Sequence, residues 1–175
     1  MNFDWNSQIR AQLETHWSAQ LRPRLEGLTD DEYFWEPAPG AWNVRPKDDG
    51  FMVDFTVPPP EPAPVTTIAW RLGHLIVVML GMRALPRFGG PAVDFSTFPY
   101  AGTAATALTQ LDEAYRVWSE GVESLGTEGL TLPAYPDEPA YDGWSTASIV
   151  LHVQRELLHH GAEIALLRDL YRARS

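Results

Sequence analysis

Four separate segments of the chain repeat apolar residues at three- and four-residue steps, which is the period of a helix and not of a strand. The first stripe consists of Trp5, Ile9, Leu13, Trp17, Leu21 and Leu25. It predicts one apolar face on a helix of about residues 4–26. The third stripe consists of Leu108, Leu111, Tyr115, Trp118, Val122 and Leu125. It predicts a helix from about Thr103 to Leu125 that packs on one side only.

The second periodic segment is apolar on nearly every side. It should begin at Thr66 or Thr67 and continue through IAWRLGHLIVVMLGMRAL. Pro86 should end it, because proline lacks a backbone donor and its ring clashes with the preceding turn. Helices that are apolar all round are buried, so this helix is expected to be central.

The fourth segment and the loops complete the predicted architecture. Ser145 can cap a helix that runs to about Arg172 and would be roughly 40 Å long at ~1.5 Å per residue. Two proline-rich loops connect the helices, residues 37–64 with a short stretch at 51–57 that could be extended, and residues 129–143. We therefore expect an all-α fold, a four-helix bundle with long proline-rich loops, as one domain over residues 1–175.

Composition excludes several classes of function. The chain has no cysteine, so thiol chemistry would need a thiol from another molecule. A net charge of −10 with scattered basic residues predicts no binding to nucleic acid. The first residues lack the basic and apolar regions of a signal peptide, and no apolar run is long enough to cross a bilayer. A cytoplasmic protein with no membrane partner is expected.

The fourth helix carries a concentration of ionisable groups in the stretch RELLHHGAEI. Residues four apart share a helix face, which sorts these groups into two rows. One row is His152, Glu156 and His160, and the other is Arg155, His159 and Glu163. Glu156 and His160 can point at the same small volume, and His74 is the only histidine on the second helix. Two histidines and one carboxylate suit zinc with one open position, and also suit iron, nickel or manganese.

Structural roles for these residues remain open alternatives. A histidine in an apolar helix is often a hydrogen-bonded core residue, and an acid four residues before a histidine is ordinary helix pairing. The second row fits a solvated helix face, although Arg155 could hold an anionic substrate at the mouth of a pocket. Trp42 and Trp144 could line that pocket or anchor the core.

Three stretches together resemble the DinB-like superfamily: PGAWNV at 39–44, TTIAWRLGHL at 66–75, and the pattern from Glu156 and His160 through GAEI at 161–164. The resemblance implies a four-helix bundle in which a histidine on the second helix and a His-x-x-x-His pair on the last helix hold a divalent metal. Those positions are His74, Glu156 and His160 here, so a glutamate stands where the family has a histidine. A carboxylate remains a competent ligand, and the same replacement also fits a metal-free polar network.

The resemblance also implies candidate activities. The superfamily includes transferases and isomerases that use low-molecular-weight thiols such as mycothiol or bacillithiol, and hydrolases. A metal-dependent enzyme acting on a small molecule, by thiol-dependent transfer or by hydrolysis, is therefore expected. The alternative is a metal-free binding or structural protein that associates as a homodimer through an apolar helix face.

Overall fold

The first long helix is built from three consecutive segments. The computed structural model describes residues 3–89, 93–135 and 141–174, apart from the side chains of residues 85 and 86. Helix α1 (Trp5–His16) begins after Asp4, whose side chain accepts a hydrogen bond from the Ser7 amide. It continues as a π-helical segment, Trp17–Leu21, and as α2, Arg22–Arg24. The predicted helix of about residues 4–26 is confirmed.

One member of the first apolar stripe does not belong to the core. Trp5 is 59% exposed, whereas the next residue, Asn6, is buried. The Asn6 amide donates hydrogen bonds to the carbonyls of Val122 and Gly126. The inward direction of the first turn is thus set by a polar contact, which an apolar pattern cannot indicate.

A short helix precedes the first proline-rich loop, and the loop itself contains a β-hairpin. Helix α3 (Asp30–Tyr33) starts with a capping box between Thr29 and Glu32. Strands β1 (Val44–Lys47) and β2 (Gly50–Val53) pair in antiparallel orientation. Between them Asp48 has a φ of 48°, the left-handed conformation that a two-residue hairpin turn requires. The extended stretch expected at 51–57 is thus a strand that ends at Val53, and its partner β1 was not predicted.

The second long helix runs as α4 (Ile68–Gly73), a π-helical segment (His74–Gly81) and α5 (Met82–Phe88). Thr67 caps it by accepting a hydrogen bond from the Trp70 amide. The predicted end at Pro86 is wrong by two residues, because the helix ends where Gly89 adopts a φ of 76°. Glycine pays no steric penalty in this left-handed conformation, which closes helices at their carboxyl ends.

The third and fourth long helices are α6 (Ala104–Gly129) and α7 (Thr146–Ala173). Thr103 and Ser145 cap them by accepting hydrogen bonds from the amides three residues later. Gly126 interrupts α6 with a φ of 57°, one residue after the predicted end at Leu125. Both predicted helices are confirmed.

The protein is mostly helical, with one small sheet that the all-α expectation did not include. The π segment His74–Gly81 packs against both α6 and α7, and α1 also contacts both. The second long helix is central as predicted, with Leu72, Leu75, Val77 and Leu80 fully buried. The four-helix-bundle arrangement itself stays a prediction, and the predicted loop at 129–143 lies partly outside the described residues. No helix within the described ranges has the length and apolar character to cross a membrane.

A buried ion pair joins the end of α7 to helix α3. Arg168 and Glu32 are 1% and 4% exposed. Two nitrogens of Arg168 lie 3.0 and 3.2 Å from the two oxygens of Glu32, a bidentate pair. Arg168 also donates to the carbonyls of Arg24, the last residue of the first long helix, and of Glu26 just beyond it. This pair holds α7 in place relative to α3, and the sequence did not predict it.

Candidate metal centre

Three side chains from two distant parts of the chain meet where the second long helix packs on α7. One ligand atom each from His74, Glu156 and His160 lies within 4.8 Å of the others. Glu156 Oε2 is 3.3 Å from His160 Nε2. Bonds of about 2.1 Å in a tetrahedral zinc site place neighbouring ligand atoms roughly 3.4 Å apart. Glu156 and His160 therefore have the spacing of two ligands of one metal ion, and a ligand atom of His74 lies within 4.8 Å of both.

His74 is held by an aromatic layer. Its ring stacks on Trp70 at 5.5 Å between centroids and meets the His160 ring edge-on at 4.9 Å. Burial, with the neighbouring His160, lowers the pKa of His74 to about 4 although the Glu156 charge opposes this change. His74 is therefore neutral at pH 7, and only a neutral imidazole has a lone pair for a metal.

His160 is oriented by a carboxylate and a guanidinium on the side away from His74. Its Nδ1 is 2.7 Å from Glu163 Oε2 and 3.2 Å from Arg71 Nη1, and Arg71 forms an ion pair with the same Glu163 oxygen. The nearer partner indicates that Nδ1–H donates to Glu163. In a neutral imidazole with this tautomer, the lone pair of Nε2 would face Glu156. Carboxylates commonly orient metal-binding histidines in this way.

Arg71 is a site residue that sequence reasoning missed. Its side chain is 16% exposed and reaches both His160 and Glu163. A signal was present in the sequence, because Arg71 lies three residues before His74 and so on the same helix face. An arginine on an otherwise apolar helix needs a buried partner.

Both glutamates of the cluster are charged at neutral pH. Burial raises the pKa of Glu156, but the hydrogen bond from Arg155 and the nearby histidines lower it further, so that the net change is downward. The pKa of Glu163 is lowered in the same way, with burial opposed by the His160 hydrogen bond and the Arg71 charge. Arg71 pairs with Glu163 and Arg155 with Glu156, so each carboxylate of the cluster has a guanidinium partner.

The second row of α7 lies at the rim of the cluster. Arg155 and His159 are 69% and 64% exposed. Arg155 Nη2 is 3.1 Å from Glu156 Oε1, and His159 Nε2 is 3.5 Å from Glu163 Oε1. His159, His160 and Glu163 form a second group of closely spaced donors. Arg71 already pairs with Glu163 there, so its positive charge opposes an ion at that position.

A surface depression of about 530 Å³ adjoins the cluster. It is lined by Gly143, Trp144, Ser148, Leu151, His152 and Arg155. The three ligands are not among its lining residues, but His152 and Arg155, which are, lie 3.8 and 3.1 Å from Glu156 Oε1. Of the two predicted tryptophans, Trp144 lines this depression. Trp42 lies elsewhere, 5.9 Å from the Trp70 ring that stacks on His74.

Comparison with known protein families gives a match to a family model. The model of the DinB superfamily matches residues 52–164, more than half of the 175-residue chain. The matched span includes all three residues of the candidate centre. No curated protein and no solved structure matches the chain.

Proposed function

The chain belongs to the DinB superfamily, and from this membership and the geometry of the site we propose that it is an enzyme dependent on a divalent metal held by His74, Glu156 and His160. The observation that carries the proposal is the orientation of His160. Its Nδ1 is engaged by Glu163 at 2.7 Å, while its Nε2 faces Glu156 at 3.3 Å. A histidine fixed between a carboxylate partner and a set of donors is the usual arrangement at a metal site.

The donor set indicates which metal ions the site could bind and what chemistry such an ion would supply. Two imidazoles and one carboxylate suit zinc, and they also suit iron, nickel or manganese. Such an ion lowers the pKa of a water or thiol bound beside the three protein ligands. Arg71 and Glu163 would keep His160 in the tautomer that binds, and Trp70 would keep the ring of His74 in place.

The depression beside Glu156 is the proposed substrate site. Its volume of about 530 Å³ is in the range that holds a small molecule. Trp144 offers an apolar surface, and the exposed Arg155 guanidinium can bind an anionic group in bidentate fashion. Because the chain has no cysteine, a sulfur nucleophile would come from a low-molecular-weight thiol. We propose thiol-dependent transfer to an electrophile, with hydrolysis as the other activity that this site supports.

A metal-free binding or structural protein is the second candidate, and the two carboxylates beside His160 favour it. Without an ion, Nδ1–H of His160 can donate to Glu163 at 2.7 Å while Nε2–H donates to Glu156 at 3.3 Å. Both carboxylates then have a donor without any metal. The two candidates therefore differ in whether Nε2 of His160 carries a proton or is free to bind an ion.

Metal content separates the candidates. Elemental analysis of the purified protein should give close to one divalent ion per chain, and Glu156→Ala should deplete it. Glu120→Ala is a matched control, because Glu120 also pairs with an arginine but lies on the exposed face of α6. A wild-type protein that stays metal-free after reconstitution with zinc, nickel, iron and manganese would support the network instead. Metal-loaded protein should then be assayed for thiol transfer to model electrophiles, with His74→Ala as the inactive variant.

A further inference from the structure

A second concave site, which we call the α6 pocket, lies between the second long helix and α6. Its volume is about 420 Å³, within the range of pockets that hold small molecules. Ile76, Leu80 and Ala84, all buried, line it from the second long helix, and Phe98 and Val117 line it from the other side. None of the described residues that line it belongs to the candidate metal centre or to the depression beside Glu156.

Small residues leave this space between two packed helices. Gly81 and Ala84 on the second long helix and Ala114 on α6 all line the pocket, and none carries more than a methyl group. A methyl group at Gly81 would lie 2.9 Å from the carbonyl oxygen of Ile76 and 3.2 Å from Val93, so glycine is required there by close packing. The walls are helices in direct contact with each other, and the pocket is therefore formed before any ligand arrives.

The polar side chains of the α6 pocket offer mainly hydrogen-bond acceptors. The Thr109 hydroxyl donates to the carbonyl of Ala105 at 3.1 Å, and the Gln110 amide nitrogen donates to the carbonyl of Pro99 at 2.9 Å. The hydroxyl lone pairs and the amide oxygen remain for a ligand. Glu113 is the one ionisable group among the described lining residues, and a carboxylate also accepts.

The charge beside the pocket is negative. Arg116 binds both oxygens of Glu113, at 2.7 and 3.0 Å, but it also binds Glu120 at 2.7 Å. One guanidinium is thus shared by two carboxylates, and the three groups together carry a charge of −1. The whole chain has a net charge of −10. A cationic ligand is therefore favoured at this mouth over an anionic one.

We propose that the α6 pocket binds a small hydrophobic amine. Its apolar body lies against Ile76 and Ala114, and its ammonium group lies at Glu113. An ammonium group has three N–H donors, and Thr109, Gln110 and Glu113 offer three acceptors. A carboxylate on the same apolar body would meet the Glu113 charge instead. An apolar segment of another protein would leave the three acceptors without donors, which is a cost of burial.

Three probes with one apolar body test the choice of ligand: 4-phenylbutylamine, 4-phenylbutanol and 4-phenylbutanoic acid. Titrations at pH 7, followed by the amide chemical shifts of Gly81, Ala84 and Ala114, should show that the amine binds about tenfold more tightly than the acid. Salt at about 1 M should reduce this ratio. Equal affinities, or shifts confined to other residues, would overturn the proposal. Shifts of the same three amides on dilution without a probe would indicate a second copy of the chain in the pocket, and would overturn it as well.

Two pairs of variants locate the site. Ala114→Leu fills the pocket and should abolish binding of the amine, whereas Ala105→Leu, at an exposed position on α6, should not. Glu113→Gln should reduce the ratio between amine and acid by about threefold. Glu120→Gln is its matched control, because Glu120 binds the same Arg116 but does not line the pocket. An unchanged ratio in Glu113→Gln, or equal effects of the two glutamine variants, would refute the assignment. Ala114→Leu should have the same metal content as the wild type, so this test is independent of the candidate metal centre.

Discussion

The role of Glu163 as the residue that orients His160 makes a quantitative prediction. Glu163→Gln keeps the shape of the side chain and removes its charge. The amide accepts a weaker hydrogen bond from Nδ1–H than the carboxylate does at 2.7 Å. The amide nitrogen can also donate to Nδ1, which would move the imidazole proton to Nε2. A protonated Nε2 has no lone pair for a metal.

The expected loss of metal affinity is taken from other metal sites in which a histidine ligand loses its hydrogen-bond partner. Removing such a partner costs roughly 10–100-fold in metal affinity, which is about 1.4–2.7 kcal/mol. A second cost falls on the apo protein, because Arg71 is 16% exposed and loses its ion-pair partner. Hydrogen bonds to charged groups contribute about 1.5–3 kcal/mol, so the variant should be less stable even without metal.

Two measurements check these expectations. Competition with a chromophoric chelator at pH 7 gives the metal affinity, and the ¹⁵N chemical shifts of His160 give its tautomer without any metal. Glu120→Gln is the matched control, since Glu120 forms an ion pair with Arg116 on α6 and lies outside the cluster. Affinity within twofold of the wild type, together with an unchanged tautomer, would refute the role assigned to Glu163.

Three further predictions concern stability. Arg168→Met should lower the free energy of unfolding by roughly 3–5 kcal/mol, as measured in denaturant, because it leaves Glu32 charged and buried without its bidentate partner. Burial raises the pKa of Glu32, but Arg168 and the Thr29 amide lower it further, to below its ordinary value of 4.5. The unfolded chain therefore takes up this proton first as the pH falls, so the contribution of the pair is complete above pH 4.5 and is lost below it. The stability difference between wild type and Glu32→Gln should accordingly shrink between pH 6 and pH 3, and a constant difference would contradict this. Gly121→Ala should lower the melting temperature, with a cost of about 1–3 kcal/mol, because a methyl group there meets the Phe88 ring at 2.2 Å; Gly50→Ala, which meets nothing within 4 Å, is the control.

The long helices could be predicted because their signals are local. Apolar residues at three- and four-residue steps define one face, and a capping side chain at Thr67, Thr103 or Ser145 defines where each helix starts. Neither signal depends on what the helix packs against. Strand β1 was missed, because VRPK has no apolar alternation and forms a strand only through its pairing with β2.

Two of the three candidate ligands could also be paired from local sequence information. Glu156 and His160 are one turn apart, so their proximity follows from the helix alone. The residues that face Glu156 and His160 cannot be deduced from the helix alone, because they depend on how the second long helix is rotated and shifted along α7. His74 was proposed because it is the only histidine on the second helix, and the resemblance to a family pointed to the same residue, whereas Arg71 was not placed at all. Arg168 was missed likewise, since its partner Glu32 is 136 residues away.

The glutamate at position 156 bears on which nucleophile the proposed centre would activate. With a neutral histidine there, the three ligands would add no charge to a bound divalent ion. The Glu156 carboxylate would add one negative charge, which would strengthen the attraction for the ion and reduce the positive charge that the ion presents to a fourth ligand. A thiol starts from a pKa of about 8.5 and water from about 15.7, so a bound thiol needs the smaller reduction to ionise near neutral pH. Zinc held by two histidines and one glutamate also activates water, so Glu156 would fit thiol transfer without excluding hydrolysis.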